Sequence, residues 1–293
     1  MTDTASELRR PPYRLSGVVA RTRRSLGESL RSRVAGPEAD EARARIWDTP
    51  GPRWFGPDDA IWHVHADASM FVGGIAALLL QSLHPLAMAG VAGHSGYRGD
   101  PWGRLVRTSH YLATTTYGTI EHAEEAISSV RRVHARVRGI APDGRPYRAS
   151  DPELLRWVHV AEVWCFLEAH RLFGDNALDA HGADDYVAQA SRSGHLLGAE
   201  ELPESVAELE SELAAYRPQL VATDAAREAA HFLLREPPLP QAARFGYALL
   251  AQGAVTLLSP WARDALDLSR PRFGRVAGDV GTRTVRWAMG SLS

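Results

Sequence analysis

The sequence predicts an all-α protein that folds as a single large helical domain. Apolar residues recur at intervals of three and four through most of the chain, which is the spacing of one face of a helix. Strand signals are scarce, and glycine and proline mark the breaks between the helical segments. With 293 residues and 45% hydrophobic side chains, the chain is long enough to bury a sizeable core without disulfides or metals.

The first segment, residues 1–45, is predicted to be a basic arm or helix that precedes the main domain at 46–293. It is rich in arginine and has no long apolar run, so it does not match a secretory signal, and we expect a cytoplasmic protein. An amphipathic pattern within it is formed by Leu15, Val19, Leu26 and Leu30. That pattern fits a helix lying on a membrane or partner, although a solvated arm or docking helix is the simpler interpretation.

An apolar stretch at residues 70–91 has about the length of a membrane span. Polar residues and Pro85 interrupt it, and a proline removes a backbone hydrogen bond inside a helix. We therefore predict no transmembrane segment, but a buried helix over 58–84 that kinks or ends at Pro85. Residues 90–100 contain Gly90, Gly93, Gly96 and Gly99, and this spacing predicts a loop that can pass close to a bulky group.

Capping and breaking residues set the limits of the following helices. Asp100 and Pro101 predict a helix start, and Gly118 predicts its end. Ser150 with Glu153 matches a capping box at the start of a later helix. The helices predicted in this way cover residues 101–117, 119–138, 150–173, 205–216, 223–235 and 240–258.

The composition excludes several kinds of chemistry. The 33 basic and 35 acidic residues nearly cancel, so no global field favours nucleic acid, and we expect no nucleic-acid partner. Every basic residue is an arginine, which excludes a lysine Schiff base. Cys165 is the single cysteine, so an internal disulfide and a cysteine-rich metal site are excluded as well. Histidine and carboxylate side chains are the ligands that remain for a metal.

Polar side chains at helical spacing define one face of the helix predicted at 101–117. Arg104, Arg107, Thr108 and Tyr111 follow one another at i, i+3, i+4 and i+7. A solvated face is the default interpretation of this row. Since the neighbouring rows are apolar or aromatic, a face turned toward the interior of the protein is the functional alternative.

Histidines occupy core-facing positions on the next two predicted helices. His134 shares a face with Ile127, Val130 and Val137. A neutral buried imidazole is a good iron ligand, but a core histidine bonded to a backbone carbonyl has the same pattern. His159 lies on one face with Glu162 and other residues of its helix, and it either binds a metal or hydrogen-bonds to a neighbouring helix. For both histidines, the spacing alone does not decide between metal binding and a structural hydrogen bond.

Several common catalytic signatures are missing. The paired Glu-x-x-His motifs of a di-iron carboxylate site and the His-Glu-x-x-His motif of zinc proteases do not occur. There is also no glycine-rich dinucleotide turn, no phosphate-binding Walker loop and no Gly-x-Ser-x-Gly elbow. Nucleotide-dependent and hydrolase functions therefore lose their usual support.

The sequence over 59–174 resembles the catalytic domain shared by MpaB-type oxygenases and latex-clearing rubber oxygenases, an all-helical group of haem proteins. The resemblance is carried by Leu83-His84-Pro85, by Gly90-Val-Ala-Gly-His-Ser95, by Pro101-Trp-Gly-Arg-Leu-Val-Arg-Thr108, by Val133-His-Ala-Arg-Val-Arg-Gly139 and by Trp157-Val-His159. It implies a b-type haem buried between core helices. The order and spacing of these separate motifs make chance agreement improbable.

The resemblance also implies roles for individual residues. In the rubber oxygenases an arginine, a lysine and a threonine lie on the distal side of the haem, and these positions map onto Arg104, Arg107 and Thr108. A later histidine that binds iron from the proximal side maps onto His134. Because a guanidinium stays protonated and binds iron poorly, the arginine in place of lysine removes a lysine-capped closed state. The family's catalytic glutamate has no counterpart, since Met88 and its neighbours are apolar.

These assignments predict a haem-dependent oxidoreductase acting on a small or medium apolar organic molecule, with dioxygen or peroxide as oxidant. His134 is the expected iron ligand, Arg104 or Arg107 would stabilise developing negative charge, and Thr108 would donate or relay a proton. We expect cofactor contacts from His134, Arg104, Thr108, Tyr111, His159 and Leu83, and pocket walls from Trp62, Phe71, Leu79, Leu83 and Tyr111. The alternatives are a haem-binding or structural helical protein without turnover, and a buried polar network without haem. An oligomer is compatible with the sequence.

Overall fold

The computed structural model describes residues 39–95, 101–237, 239 and 241–289. In this part of the chain the protein is helical, and its one sheet is a two-stranded antiparallel hairpin. The all-α fold class is therefore confirmed. Residues 1–38, which make up most of the expected basic arm, lie outside the described residues.

The helices follow one another with short connections. They are α1 (Ala39–Trp47), α2 (Ala60–Ala66), α3 (Met70–Gln81), α4 (Pro85–Gly90), α5 (Pro101–Tyr117), α6 (Ile120–His134), α7 (Pro152–Phe173), α8 (Ala180–Leu197), α9 (Val206–Tyr216), α10 (Asp224–Arg235), α11 (Gln241–Leu257), α12 (Pro260–Ala265) and α13 (Gly274–Met289). The hairpin strands are β1 (Arg138–Ile140) and β2 (Pro146–Arg148), and a π-helical turn at Val91–Ser95 follows α4.

The helix predicted over 58–84 is in fact two helices, α2 and α3, bent by 92°. Asp67 makes the bend: one of its carboxylate oxygens accepts a hydrogen bond from the backbone N–H of Ser69 at 2.7 Å. The same carboxylate accepts a hydrogen bond from Arg286 of α13 at 2.9 Å. The apolar pattern continues through this point, so the single-helix prediction was wrong because it did not include a contact with a residue 219 positions away.

Helix α3 packs along α7 in the centre of the core. A side chain at Gly73 would have its Cβ 3.1 Å from the carbonyl oxygen of Cys165, so glycine is what allows the close approach of the two helices. Helix α7 is capped by Asp151, whose side chain accepts from the N–H of Glu153 at 3.0 Å. The predicted cap at Ser150 was thus one residue early, while the predicted end of the helix at Gly174 is confirmed.

The break at Pro85 is confirmed, because α3 ends at Gln81 and α4 begins at Pro85 with His84 as its cap. The loop expected over 90–100 was wrong in its first half, where Val91–Ser95 forms the π-helical turn. Residues 96–100 lie outside the described residues. Helix α6 ends at His134 rather than at residue 138, since the chain then enters the hairpin β1–β2.

The C-terminal helices predicted near 205–216, 223–235 and 240–258 are confirmed as α9, α10 and α11. Helices α8, α12 and α13 were not predicted. Helix α13 contains Gly274, Gly278 and Gly281, and glycine disfavours a helix when the sequence is considered alone. In α13 this composition serves packing. A Cβ on Gly253 of α11 would lie 2.8 Å from the Cα of Gly278 of α13, so the two helices cross at backbone contact.

Among the described residues, no individual helix has both the length and the apolar character needed to span a membrane. The bent pair Ala60–Ala66 and Met70–Gln81 meets that criterion when its two helices are taken together.

Candidate active site

A cavity of about 2300 Å³ lies between the helices of the core. Its lining residues come mainly from α3, α4, α5, α6, α7, α10, α11 and α13, with further contributions from α1, α2 and α8. Pockets for small molecules usually measure about 300–1,000 Å³. The cavity therefore has room for a group larger than an ordinary substrate, or for two molecules together.

The cavity brings together most of the site residues that the sequence predicted. His134, His159, Arg107, Thr108 and Tyr111 all line it, although they come from three different helices. The side chain of Arg104 lies outside the described residues, so its assignment to the site stays a prediction.

Two of the expected wall residues are not in the wall. Leu83 is completely buried in the hydrophobic core beyond the end of α3, and it is not among the residues that line the cavity. Trp62 packs instead against Trp47 and Tyr117, with ring centroids 5.6 and 4.8 Å away. His65, one turn later on the same helix, does line the cavity. Phe71 and Leu79 do line the cavity.

His134 is the last residue of α6 and faces the cavity with a partly buried side chain. Its Nδ1 is buried and has no hydrogen-bond partner. Burial lowers the pKa of the imidazole, so the ring is neutral at neutral pH. Spacing left open a core histidine bonded to a backbone carbonyl. Because Nδ1 has no hydrogen-bond partner, this nitrogen is not bonded to a backbone carbonyl. A buried polar atom without a partner favours a ligand bound at this position.

His159 presents a second neutral imidazole to the cavity from α7. Its Nε2 is buried without a hydrogen-bond partner. Burial, with a smaller contribution from His195, lowers the pKa of His159 to about 4. The ring packs against α8 at Gly194, where a Cβ would lie 3.0 Å from Nδ1. Glycine at this position therefore leaves the space that the imidazole occupies.

Three residues of the polar row on α5 line the cavity: Arg107, Thr108 and, one turn later, Tyr111. The side chains of Arg107 and Thr108 are exposed, whereas that of Tyr111 is half-buried. Burial raises the pKa of Tyr111, and the nearby Glu162 raises it further. The phenol is therefore a neutral hydroxyl at neutral pH, while the guanidinium of Arg107 supplies positive charge.

Sequence reasoning missed Glu162 as a cavity residue. It lies on α7 one turn after His159 and lines the cavity. Burial alone raises the pKa of this carboxyl to about 7. The signal was present in the sequence, because Glu162 is an acidic residue on a face shared with apolar side chains. His122 of α6 was missed too; it lines the cavity and has a buried, unpartnered Nδ1.

A model for the catalytic domain of the ER-bound oxygenases mpaB and B′ and the rubber oxygenase matches residues 62–287. The chain belongs to this oxygenase family. The matched region contains most of the residues that line the cavity, including His134, His159 and Glu162. Comparisons with curated proteins and with solved structures give no match. The family membership predicted from the sequence motifs is thus confirmed, and with it the expectation of an oxygenase-type enzyme.

The residues of the cavity fit a haem group. Among the described residues, no cluster of three or more His, Cys, Asp or Glu side chains is arranged to hold a metal ion. A haem needs no such cluster, since its porphyrin holds the iron and the protein contributes axial ligands. The orphaned Nδ1 of His134 and the cavity volume match that requirement.

Proposed function

We propose that this oxygenase-family chain is a haem b-dependent enzyme that oxidises a small or medium apolar organic molecule with dioxygen or peroxide. One observation carries the proposal: a cavity of about 2300 Å³ with a neutral, unpartnered histidine, His134, in its wall. A buried imidazole nitrogen without a partner is costly, and a bound ligand atom removes that cost. The family membership points to oxidation as the chemistry of this cavity.

His134 would hold the iron, while His159 and Tyr111 would contact the cofactor. Haem supplies the redox chemistry that no amino-acid side chain provides. The protein keeps His134 in the form that can bind a metal, because burial lowers its pKa and the neutral ring retains its electron pair. Thr119 anchors the start of α6, where its side chain accepts a hydrogen bond from the N–H of His122 at 3.3 Å.

The remaining residues act on charge, protons and water. Arg107 places a permanent positive charge at the cavity, which stabilises negative charge that develops during oxidation. Thr108 on the same helix offers a hydroxyl that donates or relays a proton. Apolar walls that include Phe71 and Leu79 bind an apolar substrate and exclude water.

The test begins with the absorption spectrum of protein produced with adequate haem supply, in the oxidised and the reduced state. A pyridine haemochrome assay on the same sample gives the haem type and its ratio to protein. We expect a b-type haem at one equivalent per chain. A chain that stays spectrally unchanged after haem addition would contradict the proposal.

The ligand assignment is tested with His134→Ala and a matched variant, His122→Ala. Both histidines lie on α6, line the cavity and have an unpartnered Nδ1. We expect His134→Ala to lose haem or its axial-ligand spectrum and to regain that spectrum when imidazole is added. The His122→Ala protein should keep both. A fully loaded and spectrally normal His134→Ala protein would show that another residue binds the iron.

Turnover separates an enzyme from a haem carrier. Hydrogen peroxide or dioxygen with a reductant is supplied to the loaded protein together with a panel of phenols and alkenes. We expect oxidised products from the wild-type chain, and fewer of them from Arg107→Gln, whose side chain no longer carries a charge. Haem binding without any product would favour a protein that only retains the cofactor.

A further inference from the structure

Glu162 occupies the wall between two cavities. On one side it lines the large cavity together with His134 and Arg107. On the other it lines a small pocket of about 20 Å³, whose polar lining also comes from His65, Thr115, Thr116, His159, Tyr186 and Ser193. A pocket needs about 10–15 Å³ to hold one water molecule, and this one is polar and large enough.

The small pocket is backed by a chain of hydrogen bonds. Nδ1 of His65 lies 2.8 Å from the hydroxyl oxygen of Thr116, and Nε2 of His65 lies 3.5 Å from the hydroxyl of Tyr186. These groups come from α2, α5 and α8, so three helices converge behind Glu162 on α7. A carboxyl at this junction can exchange a proton with the large cavity in front of it and with the polar pocket behind it.

Glu162 has no hydrogen bond and no ion pair with any other described residue. Arg107 carries a positive charge in the large cavity, whereas the other titratable groups that line the small pocket or interact directly with Glu162 are neutral at neutral pH. Burial lowers the pKa of His65 to about 3 and that of His159 to about 4. Burial raises the pKa of Tyr111, Tyr186 and Cys165. Within this cluster, Glu162 is therefore the group whose charge changes when the pH passes through the neutral range.

We propose that Glu162 is the acid–base group of the cavity, carrying protons between the polar pocket and the molecule being oxidised. This inference rests on the proposed oxygenase function. The carboxylate accepts one proton from a bound acid such as hydrogen peroxide and passes it to a water molecule in the polar pocket; in the opposite direction, the carboxylic acid gives its proton to an anion in the large cavity and takes another from that water. The group ends in its starting state, and no electrons pass through it.

The pKa and the location of the Glu162 carboxyl both suit an acid–base role. A general base works best when its pKa lies near the working pH, and burial brings the pKa of Glu162 to about 7. The family's catalytic glutamate has no counterpart near Met88, which is buried and apolar in this structure. Glu162 supplies a carboxyl to the same cavity from a different helix.

The test compares Glu162→Gln and Glu162→Asp with the control Glu168→Gln. Glu168 lies on the same helix but forms an ion pair with Arg171 at 2.7 Å and does not line the cavity. Infrared spectroscopy across pH 5–9 measures the protonated carboxyl directly and needs no haem. We expect a carboxyl band that titrates near neutral pH in wild-type and Glu168→Gln protein and that is absent from Glu162→Gln.

The second measurement is the pH profile of kcat/KM for peroxide-dependent oxidation of a phenol by the haem-loaded proteins. General acid–base groups contribute about 10²–10⁴-fold, so we expect Glu162→Gln to lose about that much and to lose the limb of the profile near neutral pH. The Glu162→Asp protein should recover part of the rate, with a shifted limb. Equal haem loading of all variants shows that the effect is not caused by lost cofactor.

Two results would overturn the inference. One is a loaded Glu162→Gln protein with the wild-type rate and profile, which leaves haem binding and the proposed function intact. The other is a wild-type protein without a carboxyl band that titrates between pH 5 and 9. A chain that binds no haem would overturn the proposed function first, and this role of Glu162 with it.

Discussion

The bend between α2 and α3 depends on one carboxylate, that of Asp67. Its oxygens accept from the N–H of Ser69 at 2.7 Å and from the guanidinium of Arg286 at 2.9 and 3.1 Å. The Asp67 side chain is 11% exposed and that of Arg286 is 25% exposed, so water screens the pair only in part. Helix α3 forms part of the cavity wall. Replacing Asp67 therefore tests whether its hydrogen bonds also stabilise the site.

The expected loss of stability follows from these contacts. A hydrogen bond to a charged group contributes about 1.5–3 kcal/mol, and the contributions to a single carboxylate are not additive. Arg286 keeps a hydrogen bond to the carbonyl oxygen of Phe173 at 3.1 Å, so it is not left without a partner. We therefore expect Asp67→Ala to lower the free energy of unfolding by about 2–3 kcal/mol. In a chain of 293 residues that corresponds to a fall in Tm of roughly 3–5 °C, because the unfolding entropy is about 2.1 cal/mol/K per residue.

Two further variants separate the contributions to this loss of stability. Asp67→Asn keeps an oxygen that can accept from the N–H of Ser69 but loses the charge, so it isolates the contribution of the ion pair. Asp175→Ala removes the other acidic partner of Arg286. The side chain of Asp175 is 61% exposed. Exposed ion pairs contribute less than about 1 kcal/mol, so we expect that control to change Tm only slightly.

The assay is thermal unfolding followed by circular dichroism at neutral and acidic pH. Burial raises the pKa of Asp67, but hydrogen bonds from Ser69 and Arg286 outweigh it and lower the pKa overall. The contribution of Asp67 is therefore present above the unfolded-state pKa of about 3.9 and is lost as the pH falls below that value. The gap in Tm between wild-type and Asp67→Ala protein should close on acidification. A Tm for Asp67→Ala equal to that of the wild type at pH 7 would refute the reasoning.

Two packing and capping predictions follow from the other helices. Gly253→Ala would place its Cβ 2.8 Å from the Cα of Gly278. We expect this close contact to lower the free energy of unfolding by about 1–3 kcal/mol, as measured by urea unfolding. Gly246→Ala on the same helix meets no atom within 4 Å, and it should be neutral or stabilise by up to about 1 kcal/mol. An equal loss in both variants would contradict the close crossing. Thr223→Ala removes the oxygen that accepts from the N–H of Ala226 at 3.2 Å, and we expect a loss of about 0.5–2 kcal/mol; Thr223→Ser should retain most of that stability.

Local signals in the sequence were sufficient for most helix limits. A cap or a breaker acts within one helical turn, so its effect does not depend on the rest of the fold. Pro85 and Gly174 ended their helices as predicted, and Ser205 and Thr223 cap theirs. The same reasoning misplaced the cap of α7 by one residue, since Asp151 and Ser150 are both good capping residues.

Residues of the cavity lining were predicted where a family motif and a shared helix face indicated the same positions. His134 and the row Arg107, Thr108 and Tyr111 were identified from spacing and from the family resemblance, and all of them line the cavity. Leu83 was assigned to the site because it belongs to a motif, yet its side chain lies in the core. A motif defines neighbours along the chain, whereas the direction of a side chain depends on the packing of its helix.

The sequence by itself determined that this protein is helical, where most of its helices begin and end, and that it belongs to an oxygenase family. These properties depend on residues close together in the chain. Only the tertiary structure decided the bend at Asp67 and the place of Glu162 between two cavities. The bend depends on Arg286, 219 residues away, and the environment of Glu162 depends on side chains from three other helices. Burial and charge are set by such distant neighbours, and for this reason the pKa of Glu162 could not be read from the sequence.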